Sequence, residues 1–175
     1  MSDWQIFRQQ LLQGWMPSEQ QALSLADMDD TAALVEIAAT LRDRGHGNVV
    51  TYSRKVFIPL THLCRDVCHY CTFARTPKKI DQPFMAVEHV LELCRQGAGM
   101  GCQEALFTLG EKPELRYSAA RQALNEMGFT SKLDYVRTVA GRVLAETGLL
   151  PHINAGCMDA LEITGLRQVS ASMGI

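Results

Sequence analysis

Val56-Phe57-Ile58-Pro59-Leu60 is an apolar, β-branched and aromatic run that leads through Thr61-His62-Leu63 into Cys64-Arg65-Asp66-Val67-Cys68-His69-Tyr70-Cys71. A strand followed at once by C-x-x-x-C-x-x-C decides the reading of the chain. Three thiolates on one short loop can hold three irons of a four-iron cluster and leave the fourth without a protein ligand. Four-iron electron carriers commonly close the cluster with four cysteines, so three is the count expected when an open iron does chemistry. Zinc is the open alternative, with His62 or His69 as a fourth ligand. The paired C-x-x-C elements or distant H-x-x-x-H of zinc modules do not occur. Disulfide pairing is a weaker reading, because Cys94, Cys102 and Cys157 are scattered among apolar residues.

Working outward, the 175 residues are enough for one domain with a real core. Apolar residues make up 47% and charged residues 21%, the balance of a soluble globular protein. A net charge of −2 gives no basic surface for nucleic acid. No apolar stretch approaches the ~20 residues needed to span a bilayer, so no membrane partner is expected. The start Met1-Ser2-Asp3-Trp4 lacks the basic and apolar regions of a signal peptide. Free cysteines without such a signal lead to the expectation of a reducing, cytoplasmic setting.

Residues 1–48 read as a helical leader. Trp4, Phe7, Leu11 and Leu12 fall at helical spacing, and Asp30 or Thr31 caps a second helix bearing Leu34, Ile37, Ala38 and Leu41, with Gly45 at its end. From Val49 the pattern alternates. Strands are expected at Val49–Leu60, Glu104–Leu109, Leu150–Asn154 and Gln168–Met173. Helices are expected at Met85–Arg95 with Gly97 beyond the end, Ser118–Met127, a longer one capped by Ser131 and closed by Gly148, and Met158–Arg167. Strands separated by helices at this spacing mean an α/β fold of parallel β/α units with right-handed crossovers. Functional loops of such folds follow the strands' carboxyl ends, where the cysteine loop lies.

Gly110-Glu111 follows the second expected strand on that same rim. A glycine lets a ligand approach the backbone, and a carboxylate there accepts bonds from an ammonium group. A turn with a solvated glutamate is the other reading. Arg54, Lys55, Arg65, Asp66 and His69 read as solvated surface groups.

The cysteine loop and Gly110-Glu111 together resemble the radical S-adenosylmethionine superfamily. Thr51-Tyr52-Ser53-Arg54-Lys55, the cysteine loop through Thr72-Phe73-Ala74, Glu104-Ala105-Leu106-Phe107-Thr108-Leu109-Gly110-Glu111, Leu133-Asp134-Tyr135-Val136, Glu146-Thr147-Gly148-Leu149-Leu150-Pro151-His152 and Ser170-Ala171-Ser172-Met173-Gly174 carry it further. In that order they resemble the cyclising subunit or half of the FO synthase (7,8-didemethyl-8-hydroxy-5-deazariboflavin synthase) family.

The resemblance implies a 4Fe–4S cluster on Cys64, Cys68 and Cys71, with S-adenosylmethionine on the open iron. Gly110 and Glu111 would meet the methionine ammonium, and Tyr70 fills the family's aromatic position before the third cysteine, where a packing aromatic is equally compatible. His152, Asn154 and Ser172 are further cofactor-site candidates. Their alternatives are a strand-end histidine and small barrel-filling residues. Asn154-Ala155-Gly156 departs from the family's frequent Asn-Pro-Gly. The implied chemistry is a 5′-deoxyadenosyl radical acting on the tyrosine adduct of 5-amino-6-(D-ribitylamino)uracil. Hydrogen abstraction, ring closure, loss of ammonia and oxidation give the deazaflavin. Implied partners are the FO synthase subunit or domain that makes the adduct and a ferredoxin or flavodoxin electron donor.

A full β/α barrel takes about 250 residues. The expectation is therefore a partial barrel of the radical S-adenosylmethionine type over 49–175, cut after the fourth strand and covering about the first half of the barrel. Turnover by that length alone is in question, and a fragment that merely binds a cluster or zinc is the competing reading, as is a superfamily relative with another substrate.

Overall fold

The structure is a computed structural model that describes residues 3–174; Met1, Ser2 and Ile175, at the ends of the two expected segments, lie outside the described residues. It divides into two units, one up to Tyr52 and one from Ser53.

The first unit is helical. Helix α1 spans Asp3–Leu12, α2 Glu19–Ser24 and α3 Thr31–His46. Ser18 and Gln21 close a capping box on α2, and the Asp30 carboxylate accepts from the Ala33 N–H at the start of α3. The third helix runs through Gly45, where an end was expected, and stops at Gly47, whose φ of 61° an L-residue resists. Phe7 lies between Trp4 and Trp15, and Arg8 pairs with Glu36.

In the second unit, β1 (Lys55–Thr61), β2 (Glu104–Leu109), β3 (Leu150–Asn154) and β4 (Ser172–Gly174) form one sheet in the order β1-β2-β3-β4. Every pairing is parallel. Helices α4 (Val87–Gly99), α5 (Ser118–Glu126), α6 (Lys132–Thr147) and α7 (Ala160–Leu166) lie in the crossovers. This is a parallel α/β sheet, as the alternating pattern predicts, in the form of the partial barrel that the resemblance implies.

The side-chain period of two sorts the sheet into rows. Ile58, Phe107, Ile153 and Met173 are register partners on the core side. Val90, Leu91 and Cys94 of α4 and Val136, Val139, Ala140 and Val143 of α6 belong to the same buried cluster. Burying each large side chain stabilises the fold by about 1.5–3 kcal/mol. The alternate rows, Phe57-Leu106-His152-Ser172 and Pro59-Thr108-Asn154-Gly174, occupy the other face, where Phe57 is 50% exposed.

Three boundaries differ from expectation for identifiable reasons. The first strand begins at Lys55, not Val49, because its neighbour begins at Glu104, the register partner of Lys55, and offers no ladder further upstream. Helix α4 continues through Gly97, which lies against Val56: a Cβ there would come within 2.9 Å of that side chain, so the glycine is a packing position within the helix. The last strand begins late because the chain is still turning after α7, with the Val169 N–H on the Leu166 carbonyl.

Candidate functional site

The loop after β1 is pinned at its base. Thr61 Oγ1 donates to the Pro83 carbonyl at 2.6 Å and accepts from the Leu63 N–H at 3.1 Å. Leu63 is fully buried and forms a bridge with Arg75, whose N–H donates to the His62 carbonyl. His62 Nδ1 donates to the Phe73 carbonyl at 3.1 Å, and the two rings lie tilted by 38° with centroids 4.4 Å apart. Between these anchors lie Cys64, half-buried, and Cys68 and Cys71, exposed, all with free thiols.

The three cysteines line one cavity of about 220 Å³ with Arg75, Lys79, Arg116 and Tyr117. The backbone N–H groups of Ala74 and Phe73 hold the Cys71 thiol below the ordinary cysteine range, favouring the thiolate that a metal requires. Among the described residues no three Cys, His, Asp or Glu side chains converge where a single ion could sit.

The end of β2 meets this loop directly. The Glu111 N–H donates to Cys64 Sγ at 3.2 Å, and the Arg65 N–H donates to the Glu111 carbonyl at 2.8 Å. A Cβ on Gly110 would lie 2.0 Å from the Leu63 carbonyl oxygen and 2.7 Å from Cys64 Cβ, so only glycine permits the approach. The Glu111 side chain is 7% exposed. Its Oε2 accepts from the Cys157 N–H at 2.7 Å, in the loop after β3. Its Oε1 is buried without a hydrogen-bond donor among the described residues; Arg65 Nη2 stands 3.4 Å away, close enough for an ion pair but outside hydrogen-bond geometry.

The other candidates fall elsewhere. Tyr70 is 90% exposed and does not line the cysteine cavity. His152, Asn154 and Ser172 form a group of their own on the sheet face away from the core, with His152 Nδ1 2.5 Å from Ser172 Oγ and Nε2 3.1 Å from Asn154 Oδ1. The structure thus gathers Cys64, Cys68, Cys71, Gly110 and Glu111, and holds the histidine group apart from that cavity.

Sequence reasoning missed two cations. Arg65, read as solvated, lies against Glu111, and its carbonyl accepts from Arg116 Nη1 at 2.7 Å. Lys132, at the first turn of α6, is fully buried and donates to the carbonyls of Gly110 at 2.9 Å and Ala155 at 2.5 Å. Burial lowers its pKa to about 8, against the opposing pull of Glu111 and Glu114. A signal was present: Lys132 falls on the same helical stripe as Val136, Val139 and Val143, where an apolar residue is the norm.

No family model matches the chain. Among curated proteins it is 51% identical over 156 residues to the FO synthase of Nocardia farcinica, and 48% identical over 161 residues to that of Mycobacterium tuberculosis strain H37Rv. These matches cover 84% of this chain but 18% and 19% of those proteins. It is also 43% identical over 127 residues to the 7,8-didemethyl-8-hydroxy-5-deazariboflavin synthase of Methanopyrus kandleri, covering 73% of this chain and 38% of that one. The chain therefore spans well under half the length of the relatives it matches. Among solved structures, methylornithine synthase (PylB) aligns with a TM-score of 0.60 at 21% identity over 94% of this chain and 44% of that one. The FeFe-hydrogenase maturase HydG of Carboxydothermus hydrogenoformans aligns with a TM-score of 0.66 at 18% identity over 97% of this chain and 37% of that one. Over the residues it shares with these relatives, the chain belongs to the FO synthase family and has the parallel β/α fold of radical S-adenosylmethionine enzymes.

Proposed function

We propose that this chain carries the cluster-binding and S-adenosylmethionine-binding part of an FO synthase. The observation that carries the reading is the junction of Gly110-Glu111 with Cys64, beside a cavity lined by all three cysteines of the loop. Cys64, Cys68 and Cys71 would hold three irons of a 4Fe–4S cluster. When bound, the cluster supplies the electron that cleaves S-adenosylmethionine to methionine and a 5′-deoxyadenosyl radical. The residues present fit both groups. Arg75, Lys79 and Arg116 outweigh the one acid, Asp66, in a cavity that would receive an anionic cluster. The donor-free Glu111 Oε1 is the acceptor an incoming ammonium would satisfy, since a buried carboxylate oxygen without a donor costs stability.

Within this reading the substrate is the tyrosine adduct of 5-amino-6-(D-ribitylamino)uracil. The reaction is hydrogen abstraction, ring closure, loss of ammonia and oxidation, a lyase reaction of deazaflavin biosynthesis. Another FO synthase subunit or domain supplies the adduct, and a ferredoxin or flavodoxin supplies the electron, in the cytoplasm. His152, Asn154 and Ser172 line a sheet face suited to the adenosine or adduct side of the site. Among the described residues no helix is long and apolar enough to cross a membrane.

Anaerobic iron–sulfur reconstitution tests the reading, followed by dithionite and S-adenosylmethionine with chromatography of 5′-deoxyadenosine. About four irons and four sulfides per chain are expected, and deoxyadenosine that disappears in Cys64→Ala, Cys68→Ala and Cys71→Ala variants. Stoichiometric zinc without sulfide would sink the proposal.

A further inference from the structure

Three consecutive residues after β2 are each tied to the segment after β3. The Gly110 carbonyl shares Lys132 Nζ with the Ala155 carbonyl. The Glu111 carboxylate holds the Cys157 N–H, and Gly156, at φ 80°, leaves room for it: a Cβ there would lie 1.9 Å from Glu111 Oε2. Lys112, with a φ of 22°, reaches both carboxylate oxygens of Glu162 on α7, at 2.8 and 2.9 Å. Of these ties only the Lys132 ammonium is wholly withdrawn from water.

Burying an ammonium is unfavourable unless it is paired, and a purely structural helix start would be served by an apolar residue on this stripe. The charge is placed where two orphan strand-end carbonyls meet. Its backbone N–H is engaged as well, donating to Glu114 Oε1 at 3.2 Å. The helix start, the β2 loop and the β3 loop thus share one residue.

We propose that Lys132 is a positioning residue for the S-adenosylmethionine site. Its ammonium clamps the carbonyls of Gly110 and Ala155 and so fixes the backbone of Gly110-Glu111 against Cys64. The claim rests on the reading of this rim given above. Lys132 touches neither cluster nor cofactor and acts only through the loop it holds.

The test compares the chain with Lys132→Met, which keeps the length of the side chain and removes the charge, and Lys132→Gln, which restores donors. Amide hydrogen exchange on the unreconstituted chain reads the clamp without any cofactor. In Lys132→Met, protection of the Arg65, Glu111 and Cys157 amides should fall by about 10-fold or more while that of Phe107 and Ile153 stays unchanged, with partial recovery in Lys132→Gln. Equal loss at all five amides would mean a merely structural core residue, and no loss would mean no clamp; either overturns the proposal. On the reconstituted chain, the dissociation constant for S-adenosylmethionine should rise by about 10-fold with unchanged iron content. Wild-type binding matched by Lys132→Met overturns the positioning role and leaves the site reading standing. A loaded wild-type chain that binds no S-adenosylmethionine overturns the site reading and the positioning role together. Should both variants fail to fold, reductive methylation of the wild-type chain decides: Lys132 must stay unmodified while Lys78 and Lys79 react, and methylation at an equal rate overturns the clamp.

Discussion

Gly110 has no room for a methyl group. Its ideal Cβ would meet the backbone of Leu63, which is itself locked by Thr61 and Arg75, so neither side can yield. Gly110→Ala should cost about 3 kcal/mol or more in urea unfolding and lose iron on reconstitution. A wild-type midpoint would show that the two loops are not in contact. Lys132 makes a second prediction, about pH. The unfolded lysine keeps its proton until about pH 10.4, while the folded one loses it near pH 8. Between those values the unfolded chain binds more protons, so the Lys132 contribution to stability rises with pH, and it is lost as pH falls through 8. Cys94 and Tyr135, pushed up to about 11 and about 12 by burial, act in the opposite direction over part of that range. The difference between wild type and Lys132→Met isolates the lysine. Wild type should gain on the variant from pH 8 to pH 10, and a flat difference curve would refute the shift.

At the scale of elements, α6 carries the most weight. Ser131 caps it by accepting from the Asp134 N–H, and Gly148 ends it in the left-handed conformation. Ser131→Ala should cost about 1 kcal/mol, read from the denaturation midpoint. The cap and the C-terminal glycine are legible in the sequence, and the helix lies where they say. Helix α4 shows what a local signal misses. Gly97 reads as a stop, yet close packing on Val56 keeps the helix going, because tertiary contact outweighs a propensity cost of about 1 kcal/mol. The same helix buries Cys94, whose thiol is held neutral by its surroundings. Alkylation at pH 8 followed by mass spectrometry should label Cys68, Cys71 and Cys157 and spare Cys94. Labelling of Cys94 as fast as the exposed thiols would contradict its burial.

For the second unit as a whole, the carboxyl ends of β1, β2 and β3 bring three loops to one rim, and a ligand there would bind the folded chain alone. Such a ligand stabilises in proportion to the logarithm of its excess over the dissociation constant. Reconstitution should therefore raise the anaerobic melting temperature by several degrees, with the increment removed by an iron chelator and absent in Cys64→Ala. It should also slow proteolytic cleavage between Cys64 and Arg75. An unchanged melting temperature at full iron loading would mean that the metal sits elsewhere.

The alternation of strand and helix, the C-x-x-x-C-x-x-C loop and its place after β1 were determined by the sequence alone. Apolar periodicity, caps and cysteine spacing are local properties, and each is complete within a few neighbouring residues. The start of β1 required a partner strand, because a ladder exists only where both chains are present. The pairing of Arg65 with Glu111, the separation of His152, Asn154 and Ser172 from the cysteine cavity, and the burial of Lys132 beneath Gly110 and Ala155 were decided only in three dimensions. In each case the partners are distant in sequence or face a surface that folding defines. The place of Lys132 on the apolar stripe of α6 marks it in the chain, but nothing local names the two carbonyl groups it meets.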